Sequence, residues 1–157
     1  MKSCEQIRAE IVETYHNSYV VSGNKMSNPP RVCIIQVGSN PASNAYVQGK
    51  MNDCEYCGFH AFLRVFPESI TEQELINEVR QVCNSPKFTG VIVQLPLPTH
   101  ISAENVISVI PPEKDIDGFN PESKYIACTP RGIMMFCAIN QIDLDGKHCV
   151  IINRSRI

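Results

Sequence analysis

The sequence predicts an α/β fold built around a parallel sheet, because short apolar strands alternate with amphipathic helices along most of its 157 residues. Residues 32–37, 59–66 and 91–95 are short runs rich in apolar and β-branched side chains, which is typical of strands. One intervening helix is expected to start at Pro41 and close at Gly58, and another begins at Thr71 and carries apolar residues on one face through Cys83. Parallel strands need crossover helices, which cover both faces of the sheet, so we expect a three-layer βαβ domain.

Other helices are predicted before, within and after this alternation. The spacing of Ile7, Ile11 and Tyr15 indicates a first helix over 5–21 that ends near Gly23, followed by a polar loop.

The helix that begins after Thr71 has a capping-box signature, because Glu74 follows three residues later. Two further helices are expected over 102–110, where a pair of prolines stops the helix, and over 132–142.

The end of the chain resembles the start of another domain. Residues 147–152 have the apolar pattern of a strand, and 153–157 would form the turn that follows it. A parallel strand without its crossover helix and neighbours cannot bury both faces. We therefore expect one domain over 1–142 and the first strand of a truncated Rossmann domain over 143–157.

The composition excludes several classes of protein. Charged residues make up 19% of the chain, the formal net charge is −2, and no basic run is present that could follow a nucleic-acid backbone. No stretch approaches the roughly 18 apolar residues of a membrane span, and the first residues are polar rather than a signal peptide. We expect a cytoplasmic protein with neither nucleic-acid nor membrane partners.

Eight cysteines are more than a chain of this length usually has. Cys33, Cys83, Cys137 and Cys149 lie inside apolar strand or helix patterns, which favours buried reduced thiols over disulfides. The pair at 54 and 57 could indicate zinc or redox chemistry, but it lies in a predicted helix without a second ligand pair. Core packing is the preferred interpretation, and no metal site is predicted.

Two groups of residues could carry chemistry, one at the end of a strand and one on a helix face. The prolines at 96 and 98 stop the third strand and leave Gln94 at its carboxyl end, where parallel α/β sheets bind ligands. Tyr46 and Lys50 are four residues apart, so they share one helix face. By spacing alone, a solvated lysine beside a core tyrosine remains the simpler interpretation, and Gln94 could equally bond loop backbone.

Asp115 and Asp117 lie in a loop after a proline break. A calcium loop is excluded because its twelfth position holds Lys124, where a bidentate glutamate is required. The alternatives for Asp117 are a ligand-binding carboxylate and an Asx turn before Gly118.

Four sequence blocks occur in a recognisable order: 37–50, 94–98, 114–119 and 128–132. Together they resemble the methylenetetrahydrofolate dehydrogenase/methenyltetrahydrofolate cyclohydrolase family over roughly residues 5–157. The resemblance implies one-carbon metabolism that feeds purine biosynthesis. The complete enzyme would oxidise 5,10-methylenetetrahydrofolate with NADP or NAD, then hydrolyse the methenyl product to 10-formyltetrahydrofolate, and this chain would supply the substrate domain.

The resemblance also implies roles for individual residues. Tyr46 would stack under the pterin ring and Asp117 would accept its N–H groups, with Leu95 and Pro96 also contacting the substrate. Lys50 would transfer protons. A lysine does this near neutral pH only if its pKa falls from about 10.4, which partial burial away from a counter-charge achieves. A neutral amide suits that need, so Gln94 is expected to orient the amine by hydrogen bonding.

The sequence departs from the family pattern at three points. Eight residues join Phe119 to Cys128 where the family has a longer connection, and Asn153 replaces the glycine of a Gly-Arg-Ser turn. As a third departure, we expect this chain to carry only the first strand of the nicotinamide domain. Arg154 and Ser155 would contact the cofactor in the complete enzyme, but we expect no cofactor to bind this chain. The complete enzyme would be a homodimer, this chain alone is expected to be a monomer, and the alternative is a non-catalytic folate-binding or interaction module.

Overall fold

A computed structural model describes residues 1–21 and 28–152. Within them, three strands form one parallel sheet: β1 (Arg31–Val37), β2 (His60–Phe66) and β3 (Gly90–Val93), in the spatial order β2-β1-β3. The helices are α1 (Cys4–His16), which continues as a π-helical turn over Asn17–Val21, α2 (Pro41–Tyr56), α3 (Glu72–Asn84), α4 (Ala103–Ser108) and α5 (Cys128–Ile139). The predicted α/β class and the parallel sheet are confirmed.

The sheet is covered on both faces, because successive side chains of a strand point to opposite sides. On one face, Ile35 and Val93 pack with residues of α3 and α4, including Leu75 and Val106. On the other face, strand residues pack against α2. The second cluster consists of Val32, Ile34, Val47 and Ile92, with Met51 and Ile116 packed against it. The three-layer prediction is therefore confirmed.

Capping boxes begin α1 and α3. Thr71 and Glu74 form the predicted capping box: the Thr71 hydroxyl accepts from the Glu74 amide at 3.3 Å, and the Glu74 carboxylate accepts from the Thr71 amide at 2.9 Å. Ser3 and Gln6 make the same arrangement at α1, which was not predicted from the sequence. Each box satisfies amide groups that a helix start leaves without partners.

Several element boundaries differ from the predicted ones. β3 ends at Val93 rather than at 95, and α4 spans six residues rather than 102–110. α5 begins four residues earlier than predicted and ends at Ile139. The early start is possible because Pro130 falls in the first turn, where its missing amide would have no partner in any case.

The strand predicted over 147–152 does not form. Val150, Ile151 and Ile152 are 72%, 89% and 96% exposed, and no described strand lies beside them. A strand is stable only when its backbone groups pair with a neighbour, so an apolar pattern without a partner remains irregular. The predicted turn over 153–157, with Arg154 and Ser155, lies outside the described residues, as does the expected helix end at Gly23.

The eight cysteines are all free thiols. Cys33 and Cys83 are buried as predicted, and Cys57 is buried at the end of α2. The prediction for Cys149 is wrong: its side chain is exposed, because the strand expected to bury it is absent. Across residues 1–21 and 28–152, no cluster of three or more His, Cys, Asp or Glu side chains could hold a metal, and no helix could cross a membrane.

Candidate functional site

Helix α2 begins just after the carboxyl end of β1 and carries Tyr46 and Lys50. Its start is set by Asn40, whose side-chain oxygen accepts from the next helix amides at 2.9 and 3.2 Å. Val47 is buried against the sheet and holds the helix in place. Tyr46 is 69% exposed, so its ring is available to a ligand rather than part of the core.

The loop that contains Asp117 is fastened beside β3. Asp115 forms an isolated parallel bridge with Val91, and the Val91 amide donates to the Lys114 carbonyl at 2.8 Å. The ammonium of Lys114 donates to the carbonyl oxygens of Cys83 and Ser85 at 2.6 and 2.9 Å. These bonds join the loop to the end of α3, where free carbonyls favour a cation.

The two aspartates of the loop have different surroundings. Asp115 is 1% exposed and its carboxylate accepts from the Asn120 amide at 2.8 Å, so it holds the following turn together. Asp117 faces α2 instead, and its carboxylate lies 3.6 Å from the Lys50 ammonium. Asp117 is therefore the carboxylate that a ligand in this region can reach.

Burial raises the pKa of the Asp117 carboxyl above its ordinary value, and the nearby Lys50 charge offsets part of that rise. The Lys50 side chain remains 34% exposed, against 12% for Asp117. The structure therefore brings these two predicted residues together. It also corrects the expectation that Lys50 would lie away from a counter-charge.

Gln94 is half-buried immediately after β3. Its side-chain nitrogen donates to the carbonyl oxygen of Leu95 at 2.7 Å, and its side-chain oxygen is buried without a hydrogen-bond partner. The predicted hydrogen bond between Gln94 and Lys50 is not formed in this structure. The amide is instead turned toward its own loop, with one acceptor unused.

Leu95 and Pro96 line an apolar cavity of about 650 Å³ that also contacts Ile107 and Phe119. The Leu95–Pro96 peptide bond is cis. The cavity lies beside the carboxyl end of β3, where the fold is expected to bind ligands. Its size is in the range of small-molecule pockets.

The contact between Cys128 and the site was not predicted from the sequence. Gly118 has φ of 70°, and a Cβ placed there would lie 2.7 Å from backbone atoms of Tyr125 and Ala127. The short connection therefore folds tightly onto Gly118 and returns Cys128, whose sulfur lies 4.0 Å from the Asp117 carboxylate. Burial, then the Asp117 charge, raises the pKa of the Cys128 thiol. The short connection between Phe119 and Cys128 is the sequence feature that could have predicted this contact.

The predicted cofactor residues are not part of this cleft. Arg154 and Ser155 lie outside the described residues, and 143–152 form neither a strand nor a helix. A dinucleotide pyrophosphate needs a strand, a tight turn and a helix N-terminus. The described residues therefore do not fit a nicotinamide cofactor.

The fold and site define an α/β domain with a cleft beside the carboxyl end of a parallel strand. The chain belongs to the tetrahydrofolate dehydrogenase/cyclohydrolase family, because the model of that family's catalytic domain matches residues 2–117.

Individual relatives agree with this assignment. The bifunctional protein FolD of Lachnoclostridium phytofermentans is 42% identical over 135 residues, which cover 80% of this chain and 48% of that protein. The bifunctional protein FolD of Bacillus cereus strain AH187 is 38% identical over 98% of this chain and 55% of its own length. The chain thus spans about half the length of these curated relatives.

A solved structure has the same fold. The bifunctional FolD methylenetetrahydrofolate dehydrogenase/cyclohydrolase of Campylobacter jejuni superposes with a TM-score of 0.85 at 34% identity. The alignment covers 97% of this chain and 57% of the Campylobacter chain. The fold of this domain is therefore that of the matching half of a FolD enzyme.

Proposed function

We propose that this chain supplies the tetrahydrofolate-binding and proton-transfer half of a bifunctional folate enzyme. The complete protein would oxidise 5,10-methylenetetrahydrofolate and hydrolyse the methenyl product to 10-formyltetrahydrofolate. The observation that carries the proposal is the 3.6 Å approach of Lys50 to Asp117, in the cleft of a domain that belongs to this family.

The binding roles follow from charge and exposure. An ionised carboxylate at Asp117 can accept paired hydrogen bonds from the amino and ring N–H groups of a reduced pterin. The exposed ring of Tyr46 provides a stacking surface, and Leu95 and Pro96 supply the apolar wall of the neighbouring cavity. These groups would orient the substrate and exclude water from one side of it.

The proton-transfer role belongs to Lys50. In the hydrolysis, water adds to the methenyl carbon and loses a proton, and the bond from that carbon to N5 of the pterin then breaks as N5 gains a proton. An amine in the cleft can accept the first proton and return the second. Lys50 is a basic group of the cleft that lies against the Asp117 carboxylate and remains partly exposed to water.

The oxidation needs a nicotinamide, NADP or NAD, held by a domain outside the described residues. The Trypanosoma brucei enzyme, 25% identical with a TM-score of 0.77 over 90% of this chain and 52% of its own, was crystallised with NADP and an inhibitor. By the same family membership we place the complete enzyme in the cytoplasm, as a homodimer that serves purine biosynthesis.

The test is Lys50→Met in the full-length protein. We expect hydrolysis of methenyltetrahydrofolate to be lost while much of the dehydrogenase activity remains, because only hydrolysis needs the lysine to move protons. Lys87→Met is the matched control, since Lys87 lies over the Phe62 ring in another part of the domain. Equal loss of both activities, with circular dichroism unchanged, would show that Lys50 positions the substrate instead.

A second candidate is a folate-binding module without catalysis. The tight return of the chain onto Gly118 favours it, because the short connection changes one wall of the cleft. The same assay separates the two functions: this module would bind a reduced folate by calorimetry, yet the wild-type full-length protein would show no hydrolysis.

A further inference from the structure

The side chain of Lys114 ties the loop that leads to Asp117 to the end of helix α3. Its half-buried ammonium donates to the carbonyl oxygens of Cys83 and Ser85 at 2.6 and 2.9 Å. The last carbonyls of a helix have no partner within it and carry the negative end of its dipole, so a cation is favoured there. Because the donor is charged, these bonds are stronger than bonds between neutral groups.

The end of α3 is a firm point of attachment. The helix packs into the core on the face of the sheet opposite α2, and its buried residues are Leu75, Val79, Val82 and Cys83. Elements with this much buried apolar surface open less readily than exposed loops. Lys114 therefore connects the loop to a rigid element that lies across the sheet from Lys50.

The backbone of Lys114 fastens the same loop to β3. The Lys114 carbonyl accepts from the Val91 amide at 2.8 Å and from the Ile116 amide at 3.0 Å. Ile116 packs against the cluster that contains Ile92, and a Cβ placed at Gly90 would lie 2.7 Å from its side chain. Lys114 is thus joined to α3 by its side chain and to β3 by its carbonyl.

The Asp117 carboxylate is held more loosely by its side-chain neighbours. Its 3.6 Å separation from Lys50 exceeds the roughly 2.7–2.9 Å of a strong charge-assisted hydrogen bond. The sulfur of Cys128 lies 4.0 Å from the carboxylate, and a thiol is a weak donor. The position of this carboxylate therefore depends on the backbone that leads to it, which Lys114 fixes three residues earlier.

We propose that Lys114 is a positioning residue for substrate binding: by joining the loop to the end of α3, it holds the Asp117 carboxylate where a reduced pterin can donate to it. This inference rests on the proposed function for the identity of the ligand. Lys114 acts through Asp117, because its own ammonium is engaged at α3. Without the ammonium, the loop keeps its backbone bonds to β3 but loses its attachment to α3, and the carboxylate moves toward solvent.

Lys114→Met in the full-length protein tests this role by kinetics. The KM for methenyltetrahydrofolate should rise about tenfold, the loss expected for one hydrogen bond to a charged group, while kcat stays within about twofold. A merely structural role predicts the reverse, because a smaller folded fraction lowers the apparent kcat and leaves KM unchanged. Val79→Ala is the control, since it loosens α3 in the core and should leave KM unchanged. An unchanged KM in Lys114→Met, or an equal rise in both variants, would overturn the proposal.

A second measurement needs no ligand. NMR titration of the aspartate carboxyl carbons, with Asp117→Asn used for assignment, follows the pKa of the Asp117 carboxyl, which burial raises in the wild type. Lys114→Met should lower this pKa toward the ordinary 3.8, because a loosened loop exposes the carboxylate, and Val79→Ala should not. The nearby charges of Lys50 and Asp115 are the same in both variants. An Asp117 pKa that does not change in Lys114→Met contradicts the positioning role.

The two measurements separate this inference from the proposed function. If the wild-type full-length protein does not hydrolyse methenyltetrahydrofolate, the proposed function fails, while the carboxyl titration still decides whether Lys114 positions Asp117. Lys114→Gln serves if Lys114→Met does not fold. Its shorter amide retains a donor for one carbonyl, so KM and the Asp117 pKa should shift in the same directions by smaller amounts. Wild-type values of both quantities in Lys114→Gln would then overturn the proposal.

Discussion

Asp117 is held in a setting that costs the unliganded protein stability. Burial raises its carboxyl pKa above the ordinary 3.8, so the folded state binds a proton more readily than the unfolded state. Between these two pKa values, stability falls as the pH rises, and the cost is fully present above the folded pKa. Residues that trade stability for a buried charge in this way often bind ligands.

Asp117→Asn should therefore stabilise the unliganded chain at pH 7, by about 1 kcal/mol at most because Lys50 stays partly hydrated. The gain should disappear as the pH falls below 3.8, where the wild-type carboxyl is protonated in both states. Urea denaturation at several pH values measures this.

Asp53→Asn is the control for that prediction. Asp53 accepts two hydrogen bonds from Arg8, at 2.5 and 3.1 Å, so its loss should destabilise the chain slightly. If Asp117→Asn destabilises the chain as Asp53→Asn does, the burial argument for Asp117 is wrong.

Tyr46 gives a prediction about affinity. Tyr46→Ala should weaken binding of a reduced folate by about 1 to 3 kcal/mol, the range found for bases stacked on aromatic side chains. Stability should hardly change, because the ring is 69% exposed. Tyr46→Phe keeps the stacking surface and should bind nearly as well. Calorimetry that shows equal affinity for the Ala and Phe variants would remove Tyr46 from the binding site.

Among the elements, the connection that follows Gly118 shapes the site through its backbone. Gly118→Ala should destabilise the chain by about 1 to 3 kcal/mol, since φ is 70° and the new Cβ would meet backbone atoms at 2.7 Å. Thermal denaturation measures the loss.

Gly132→Ala is the matched control for Gly118→Ala. Gly132 lies in α5, and the methyl group of an alanine there would have no neighbouring atom within 4 Å, so the substitution should stabilise the chain by about 0.5 to 1 kcal/mol. Equal effects of the two substitutions would show that the backbone at Gly118 can relax.

At the scale of the whole molecule, order is concentrated around the sheet. β3 is buried along its full length, whereas 150–152 are almost fully exposed and belong to no described element. Amide hydrogen exchange should therefore be far slower at Gly90–Val93 than at 147–152. Comparable protection of the two segments would show that the C-terminal strand forms in solution.

The full chain should also fail to bind NADP with a dissociation constant below about 100 μM, equivalent to roughly 5.5 kcal/mol. The reason is that the described residues contain no strand, turn and helix in the order that holds a dinucleotide. Titration calorimetry with NADP measures this, and saturable binding at lower concentrations would contradict the prediction.

The sequence by itself determined the features that depend on local periodicity. Short apolar runs defined the strands, and the capping box at Thr71 located the start of α3, because both are set by neighbours within a few residues. The motif around Gln94 likewise indicated which edge of the sheet carries the site. The local apolar pattern also predicted a strand over 147–152 that does not form, because a strand needs a neighbouring strand and none of the described strands lies beside these residues.

Only the tertiary structure decided which site residues touch. The Lys50–Asp117 approach, the unused oxygen of Gln94 and the return of Cys128 to Asp117 join residues from different elements. Their distances depend on how α2 and the 115–118 loop pack beside β3. Sequence spacing does not encode such distances, because the separation of distant segments is set by the packing of the whole core.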